Sequence, residues 1–283
     1  MIWKLRDRIL ACDKTLLMGI VNTTPDSFSD GGRCEDPEKA VAHARQLVCE
    51  GADLLDLGAE STRPGAKPVS RDQELSRLLP VLRGIREKIR VPISIDTTKP
   101  EVARACLQGG AHAINDVSGL RDSGPDMAEV VREFGAGLVL MHRRGNPETM
   151  QTLADYQDVI AEVSAELETS LELALRAGIG ENQLVIDPGL GFAKTVEQNL
   201  EIIRGLERFG PGRLPILLGP SRKSFVGKIT GREVSDREYG TAAVAAIAVL
   251  KGVSILRVHE VGPMRDAVRM AEAVRGGHHV RTF

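Results

Sequence analysis

Eight short apolar runs recur along this 283-residue chain, and their spacing limits the fold more than any other feature. They cover residues 16–21, 54–57, 93–95, 113–114, 138–141, 184–186, 216–218 and 255–258. Most are nearly continuous in hydrophobicity, as strands covered on both faces must be. Their starts lie about 34 residues apart on average, with one short gap of about 20, against the ~30 or more of a strand–helix–strand unit. The intervening segments read as helices. One follows Asp155, with Val159, Val163, Leu167 and Leu171 on one face and Gly178 as its stop. Another opens at Thr98-Lys-Pro-Glu101, a capping-box pattern with proline in the first turn, and closes at Gly109-Gly110. A third, residues 241–250, is apolar almost all round, so something must bury it, and a subunit interface is a candidate.

Eight such alternations predict parallel strands with helical crossovers, and eight strands close a barrel. The expected fold is therefore an α/β TIM (β/α)8 barrel in a single domain spanning 1–283. Residues 1–15 fit no strand–helix unit and are expected to form a short hairpin-like extension capping the barrel floor, with the barrel over 16–275 and a tail over 276–283. A doubly wound open sheet is the alternative, but no GxGxxG opens a helix anywhere.

Composition excludes several functional classes. A net charge of −2 and 3% aromatics give no electrostatic or stacking basis for nucleic-acid binding, nor for attraction to an anionic membrane. No run reaches the roughly 18 apolar residues of a membrane span, and the first eight residues show no signal-peptide pattern. Cys12, Cys34, Cys49 and Cys106 lack CxxC spacing or partner histidines and read as reduced thiols. The expectation is a soluble cytoplasmic enzyme.

Polar residues collect at one end of the runs. Asn22 follows the first, Glu60-Ser-Thr-Arg-Pro-Gly65 the second, Asp96 the third, Asn115-Asp116 the fourth and His142-Arg143 the fifth. Asp187 follows the sixth, Ser221-Arg-Lys223 the seventh, and Arg257 and His259 close the eighth. In a barrel these ends converge on one mouth, where active sites of this architecture lie. Singly, each has a structural reading: Asp187 before Pro188-Gly189 could start a turn, Asp96 could bond a helix start, and Asn22 could form an Asx turn. Convergence favours function. Asp96, Asp187 and Asn115 suit a flat heterocycle carrying N–H donors. Arg63, Arg257 and His259, with the neutral oxygen of Asn22, suit a polyanion such as diphosphate with Mg²⁺. No HExxH, Cys/His cluster or acidic triad offers a zinc or two-metal site. Phe28, Phe192 and Phe225 lie in strand-end loops and are candidate walls for a planar substrate. The segment from Thr23 to about Asp36 is long for an unstructured connection and reads as a lid.

These residues fall in seven ordered blocks that resemble the dihydropteroate synthase family from Leu17 to about Arg275. The blocks are Asn22-Thr-Thr-Pro-Asp-Ser-Phe-Ser-Asp-Gly-Gly32, Glu60-Ser-Thr-Arg-Pro-Gly65, Ser94-Ile-Asp-Thr97 and Ile114-Asn-Asp-Val-Ser-Gly119, then Asp187-Pro-Gly-Leu-Gly-Phe192, Gly219-Pro-Ser-Arg-Lys-Ser-Phe225 and Arg257-Val-His259. The resemblance implies a homodimeric barrel that joins (7,8-dihydropterin-6-yl)methyl diphosphate to 4-aminobenzoate. It implies Asn22 as the Mg²⁺ ligand. Asp96, Asn115, Asp187 and Lys223 would hold the pterin, with Met141, Gly219 and Phe192 lining its pocket. Arg63, Arg257 and His259 would meet the diphosphate, and Thr62, Pro64, Phe28 and Ser221 would lie near the aminobenzoate. Of these, Asp96, Asp187, Lys223, Arg257 and His259 are expected to act in catalysis. A dissociative substitution fits the residues: anionic carboxylates favour a cation at the pterin methylene, while cations favour the leaving group. Two positions depart from the usual pattern, Gly58-Ala59 where Gly-Gly is common and His259-Glu260 where His-Asp is common.

Three other readings share these residues. A pterin-binding corrinoid methyltransferase module would have no use for Arg63, Arg257 and His259 together. A binding-only relative would keep the same residues, and only an assay separates it. A Schiff-base aldolase using Lys223 or Lys194 would need that lysine in a dry, apolar setting, and borohydride trapping would reveal it.

Overall fold

The computed structural model describes residues 1–23, 37–61, 65–209 and 214–276. A hairpin comes first, β1 (Ile2–Leu5) and β2 (Arg8–Ala11), paired antiparallel from Ile2↔Ala11 to Leu5↔Arg8. Strands and helices then alternate: β3 (Leu16–Asn22), α1 (Pro37–Cys49), β4 (Leu54–Gly58), α2 (Arg71–Lys88), β5 (Ile93–Asp96), α3 (Pro100–Gln108), β6 (Ala113–Asp116) and α4 (Gly124–Phe134). The second half holds β7 (Gly137–Met141), α5 (Val159–Arg176), β8 (Leu184–Asp187), α6 (Val196–Arg204), β9 (Leu217–Leu218), α7 (Ser224–Thr230), α8 (Glu238–Leu250), β10 (Ile255–Val258) and α9 (Val261–Arg275).

Strands β3 to β10 form one parallel sheet in the order β8-β7-β6-β5-β4-β3-β10-β9. A parallel bridge between Ile186 and Ile216 brings the two ends together, so the sheet closes as the expected TIM barrel. The eight runs are the eight barrel strands, and four of the strands (β3, β5, β6 and β8) extend by one or two residues into the polar position at the run's end. Closure also makes β3 and β10 neighbours, pairing Arg257 with Met18 in register.

The strand period of two sorts the side chains. Leu17, Val21, Leu55, Leu57, Ile95, Ile114, Leu138, Leu140, Ile186, Leu218, Leu256 and Val258 face outward into a core shared with the helices. Met18, Leu54, Ala113, Val139, Val185, Leu217 and Ile255 face inward and pack with Trp3 and Leu5 of β1. The hairpin is therefore the barrel floor, as expected. Gly137 at the start of β7 makes room for it, since a Cβ there would lie 2.6 Å from Leu5 and 2.8 Å from Trp3. The Trp3 indole donates to the carbonyl of Gln183 at 2.9 Å, and Arg6 donates to Leu107 at 2.6 Å.

Two helix starts illustrate the local chemistry. Helix α5 begins at Val159 because the Asp158 carboxylate accepts from the N–H groups of Ile160 and Ala161. Its Val159, Val163, Leu167 and Leu171 are buried, and Gly178 follows it at φ +89°. Helix α3 differs from its expected cap. It begins at Pro100, which makes Thr98 one residue too early, and Thr97 Oγ1 instead accepts from Lys99 N at 3.2 Å.

Candidate active site

One layer above the floor, the inward positions turn polar. Asp56 on β4, Asp96 on β5, Asn115 on β6, Met141 on β7, Asp187 on β8 and Arg257 on β10 all face the barrel axis near its C-terminal end. Arg257 organises one side of this layer. Its Nε donates to Asp56 Oδ2 at 2.6 Å and its Nη2 to Asp96 Oδ2 at 2.8 Å. The Asn115 amide donates to the same Asp56 oxygen at 3.0 Å. Burial pushes the Asp96 carboxyl up to about 7, with Arg257 opposing the shift and Asp56 adding to it.

The other side is built by β8 and the segments after β8 and β9. Asp187 is buried and accepts from Gly189 N at 2.7 Å. Burial raises its carboxyl to about 6 against the pull of that N–H, Lys223 and Lys194. Lys223 sits with Nζ 4.2 Å from the centre of the Phe192 ring, a cation–π contact. Burial lowers its ammonium to about 8, opposed by Asp187. Phe192 and Met141 pack with Val117, Met150 and Ala193 in a small apolar cluster beside it. Gly219 faces open space, with nothing within 4 Å of where its Cβ would be.

At the β9–β10 side, Ser221 Oγ lies 2.9 Å from Nδ1 of His259 and accepts from His259 N at 3.2 Å. Arg257 and His259 were expected to share one anion site. In this structure their side chains engage different partners: the guanidinium turns to Asp56 and Asp96, and the imidazole to Ser221. Asn22 ends β3 and is half-buried opposite Gly58. Among the described residues, no group of three or more His, Cys, Asp or Glu could hold a metal ion. A single amide oxygen fits a Mg²⁺ that draws its other ligands from substrate oxygens and water. Phe28, Thr62, Arg63 and Pro64, and the lid segment beyond Thr23, lie outside the described residues.

Asp56 was missed in the sequence. It sits inside the run Leu54-Leu-Asp-Leu57, and the period of two places it on the face of Leu54 and Gly58. A carboxylate within a strand buried on both sides was the available signal. Lys99 was missed too: it joins Glu60 of the loop after β4 and, at 2.7 Å, Glu74 of α2. Two candidates prove structural. Asp116 faces outward and caps its own turn, accepting from Ser118 N at 2.8 Å, Leu120 N at 3.0 Å and Ser123 Oγ at 2.6 Å. Phe225 is buried in the core between barrel and helices, so it forms no substrate wall.

A closed parallel barrel whose mouth carries buried carboxylates, an amide and cations suits a pterin-binding enzyme, and residues 18–259 match the family model described as pterin binding enzyme. Dihydropteroate synthase from Synechocystis sp. is 44% identical over 262 residues, covering 92% of this chain and 90% of that protein. The Yersinia pestis dihydropteroate synthase, solved with a sulfonamide drug, aligns with a TM-score of 0.92 at 37% identity, covering 98% of this chain and 100% of that one. The Xanthomonas albilineans dihydropteroate synthase in complex with 7,8-dihydropteroate aligns with a TM-score of 0.88 at 40% identity, covering 97% and 99%. The chain belongs to the dihydropteroate synthase family.

Proposed function

We propose that this chain condenses (7,8-dihydropterin-6-yl)methyl diphosphate with 4-aminobenzoate, giving 7,8-dihydropteroate and diphosphate. The observation that carries this reading is the 2.8 Å contact between Arg257 Nη2 and Asp96 Oδ2. It sets a residue assigned to the diphosphate against one assigned to the pterin. Breaking a bond between those two groups requires such adjacency.

Asp96, Asn115, Asp187 and Lys223 hold the pterin, with Met141, Gly219 and Phe192 around it. The methylene–oxygen bond breaks with its electron pair leaving on diphosphate. The resulting cation is favoured by the ionised carboxylates of Asp96 and Asp187. Arg257 and His259 meet the departing anion, together with Arg63. The Asp56 contact fixes the Arg257 guanidinium through Nε, and Nη1 stays uncommitted among the described residues. The arylamine lone pair then forms the carbon–nitrogen bond and the nitrogen releases its proton, near Thr62, Pro64, Phe28 and Ser221. Asn22 would hold Mg²⁺, which when bound supplies charge neutralisation at the leaving group.

The whole chain is read as one pterin-binding domain that works as a homodimer. The support for a dimer is apolar surface on two helices packed together: Ile247 and Leu250 of α8, and Met270 and Val274 of α9, are exposed. A cytoplasmic setting is read from the thiols, since Cys12, Cys49 and Cys106 are all free. Among the described residues, no helix is long and apolar enough to cross a membrane. The test is direct. Purified protein with Mg²⁺ should form dihydropteroate and release diphosphate only when both substrates are present. Pterin binding without condensation would leave the binding-only reading.

A further inference from the structure

Lys194, just after β8, is only 4% exposed, and the chemistry above gives it no task. Its ammonium lies 2.9 Å from the carbonyl oxygen of Phe192 and 3.0 Å from Nδ1 of His142. Burial lowers that ammonium to about 7, with Asp187 opposing. In its charged form it has only donors, so Nδ1 then presents its lone pair and the imidazole proton sits on Nε2. That nitrogen faces Glu166 Oε2 at 3.1 Å. Glu166 is held in turn by Arg121 and by Arg144, whose Nε donates at 2.9 Å. Burial and the neighbouring Lys194 lower the His142 imidazole to about 4, which keeps it neutral, and the contacts at its two nitrogens set the tautomer.

The segment that Lys194 closes is unusual backbone. Between Asp187 and Lys194 it passes through Gly189 at φ +70°, Gly191 at φ +82° and Ala193 at φ +49°. Alanine lacks glycine's freedom in that region, so the conformation persists only because its surroundings over-determine it. Gly189 N donates to Asp187, Gly191 N donates to Asn199 at 2.7 Å, and Lys194 grips the Phe192 carbonyl on the far side of Ala193. Burying an ammonium is costly, and an apolar side chain would pack there more cheaply. The two directed bonds are what only the lysine supplies.

We propose that Lys194 is a positioning residue for the pterin wall. Clamped between His142 and the Phe192 carbonyl, its ammonium holds the strained turn after β8 so that the Phe192 ring stays against Lys223. The inference rests on the pterin reading above.

Lys194→Met, of similar length without the charge, tests it. Calorimetry with 6-hydroxymethyl-7,8-dihydropterin and steady-state kinetics in both substrates give the readout. The expected result is a pterin Kd and a pterin diphosphate KM raised roughly tenfold or more, the range of a lost charge-assisted pair of hydrogen bonds. The KM for 4-aminobenzoate should stay within about twofold. Pterin affinity equal to wild type, or both KM values rising together, would overturn the proposal. A second pair of variants covers misfolding of the first. His142→Asn keeps an acceptor facing Lys194 and should retain pterin affinity, whereas His142→Leu should lose it as Lys194→Met does. Equal affinities for these two would also overturn it. A wild-type protein that binds no pterin would instead remove the functional reading on which the proposal stands.

Discussion

Asp56 Oδ2 accepts both from Arg257 Nε at 2.6 Å and from Asn115 Nδ2 at 3.0 Å, while no part of Asp56 reaches solvent. One carboxylate oxygen thus couples a group assigned to the pterin with one assigned to the diphosphate. Breaking a buried ion pair by removing one partner costs roughly 3–5 kcal/mol. Because Asp96 still faces Arg257, Asp56→Ala should fall at the lower end, about 3 kcal/mol by urea denaturation. With the guanidinium no longer fixed, kcat/KM for the pterin diphosphate should fall roughly 100-fold. Stability and activity both within error of wild type would exclude the coupling role.

The buried carboxyls set the acid limb of activity. Asp96 is raised to about 7 and Asp187 to about 6, in both cases by burial first. Below these values each holds a proton, so it no longer accepts fully from pterin N–H groups or favours a developing cation. Activity therefore rises with pH through about 6 to 7. Lys223, lowered to about 8 by burial, is cationic below that value and neutral above it. Activity should fall again as pH passes about 8, giving a narrow bell in kcat/KM. Lys223→Arg, which keeps its charge at any accessible pH, should lose the step near pH 8 and retain the acid limb, leaving only the fall that comes as Lys194, lowered to about 7, gives up its charge. A profile flat from about pH 5.5 to 9 would contradict these assignments.

Glycine positions separate strain from collision. Gly189 has φ +70°, and a Cβ there would strike the carbonyl oxygen of His142. Gly231, which caps the end of α7 at φ +69°, has open space around the same position. The backbone term alone costs about 1–2 kcal/mol, and a clash with a fixed backbone adds about 1–3. Gly231→Ala should therefore cost about 1 kcal/mol, and Gly189→Ala about 3. Only the latter should weaken pterin binding, because it displaces the turn that carries Phe192. Equal costs for the two would show that the turn relaxes freely.

The residues that were legible in the sequence were those whose role is written in periodicity. Apolar runs spaced by helices gave the barrel, and polar run-ends gave the mouth, because strand ends and the period of two are local properties. What escaped was decided across the barrel. Arg257 lies 201 residues from Asp56 in sequence, and nothing local to either names the partner. The Lys99 contacts with Glu60 and Glu74 likewise join three elements. Asp116 and Phe225 sat in the right blocks but face away from the axis: Asp116 closes a turn and Phe225 fills the core. Thr98 matched a capping pattern, yet proline fixed the helix start one residue later than that pattern requires.

Trp3 gives a handle on the barrel floor. It is the chain's only tryptophan, fully buried, with its indole N–H donating to Gln183. Its fluorescence should report docking of the hairpin, and far-UV circular dichroism should report the barrel. If floor and barrel form one cooperative unit, the two urea transitions coincide. Trp3→Ala removes a large core side chain and should cost about 3–5 kcal/mol. An earlier fluorescence transition, with the barrel signal intact, would mean the hairpin unfolds separately.

Helix α8 carries the last prediction. Its buried face, Thr241, Ala245, Ala248 and Val249, packs within the subunit, while Ile247 is 45% and Leu250 is 48% exposed. On the neighbouring α9, Met270 is 66% and Val274 is 72% exposed. Apolar side chains this exposed on adjoining helices are costly in water and favour a two-fold contact between identical surfaces. Sedimentation should therefore give the mass of two chains for the wild type. Met270→Glu with Val274→Glu should give one chain, because four carboxylates would be buried across a self-complementary interface without partners. The circular dichroism spectrum should be unchanged, since neither side chain is part of the barrel core. A wild type that sediments as a single chain at high concentration would rule out this interface.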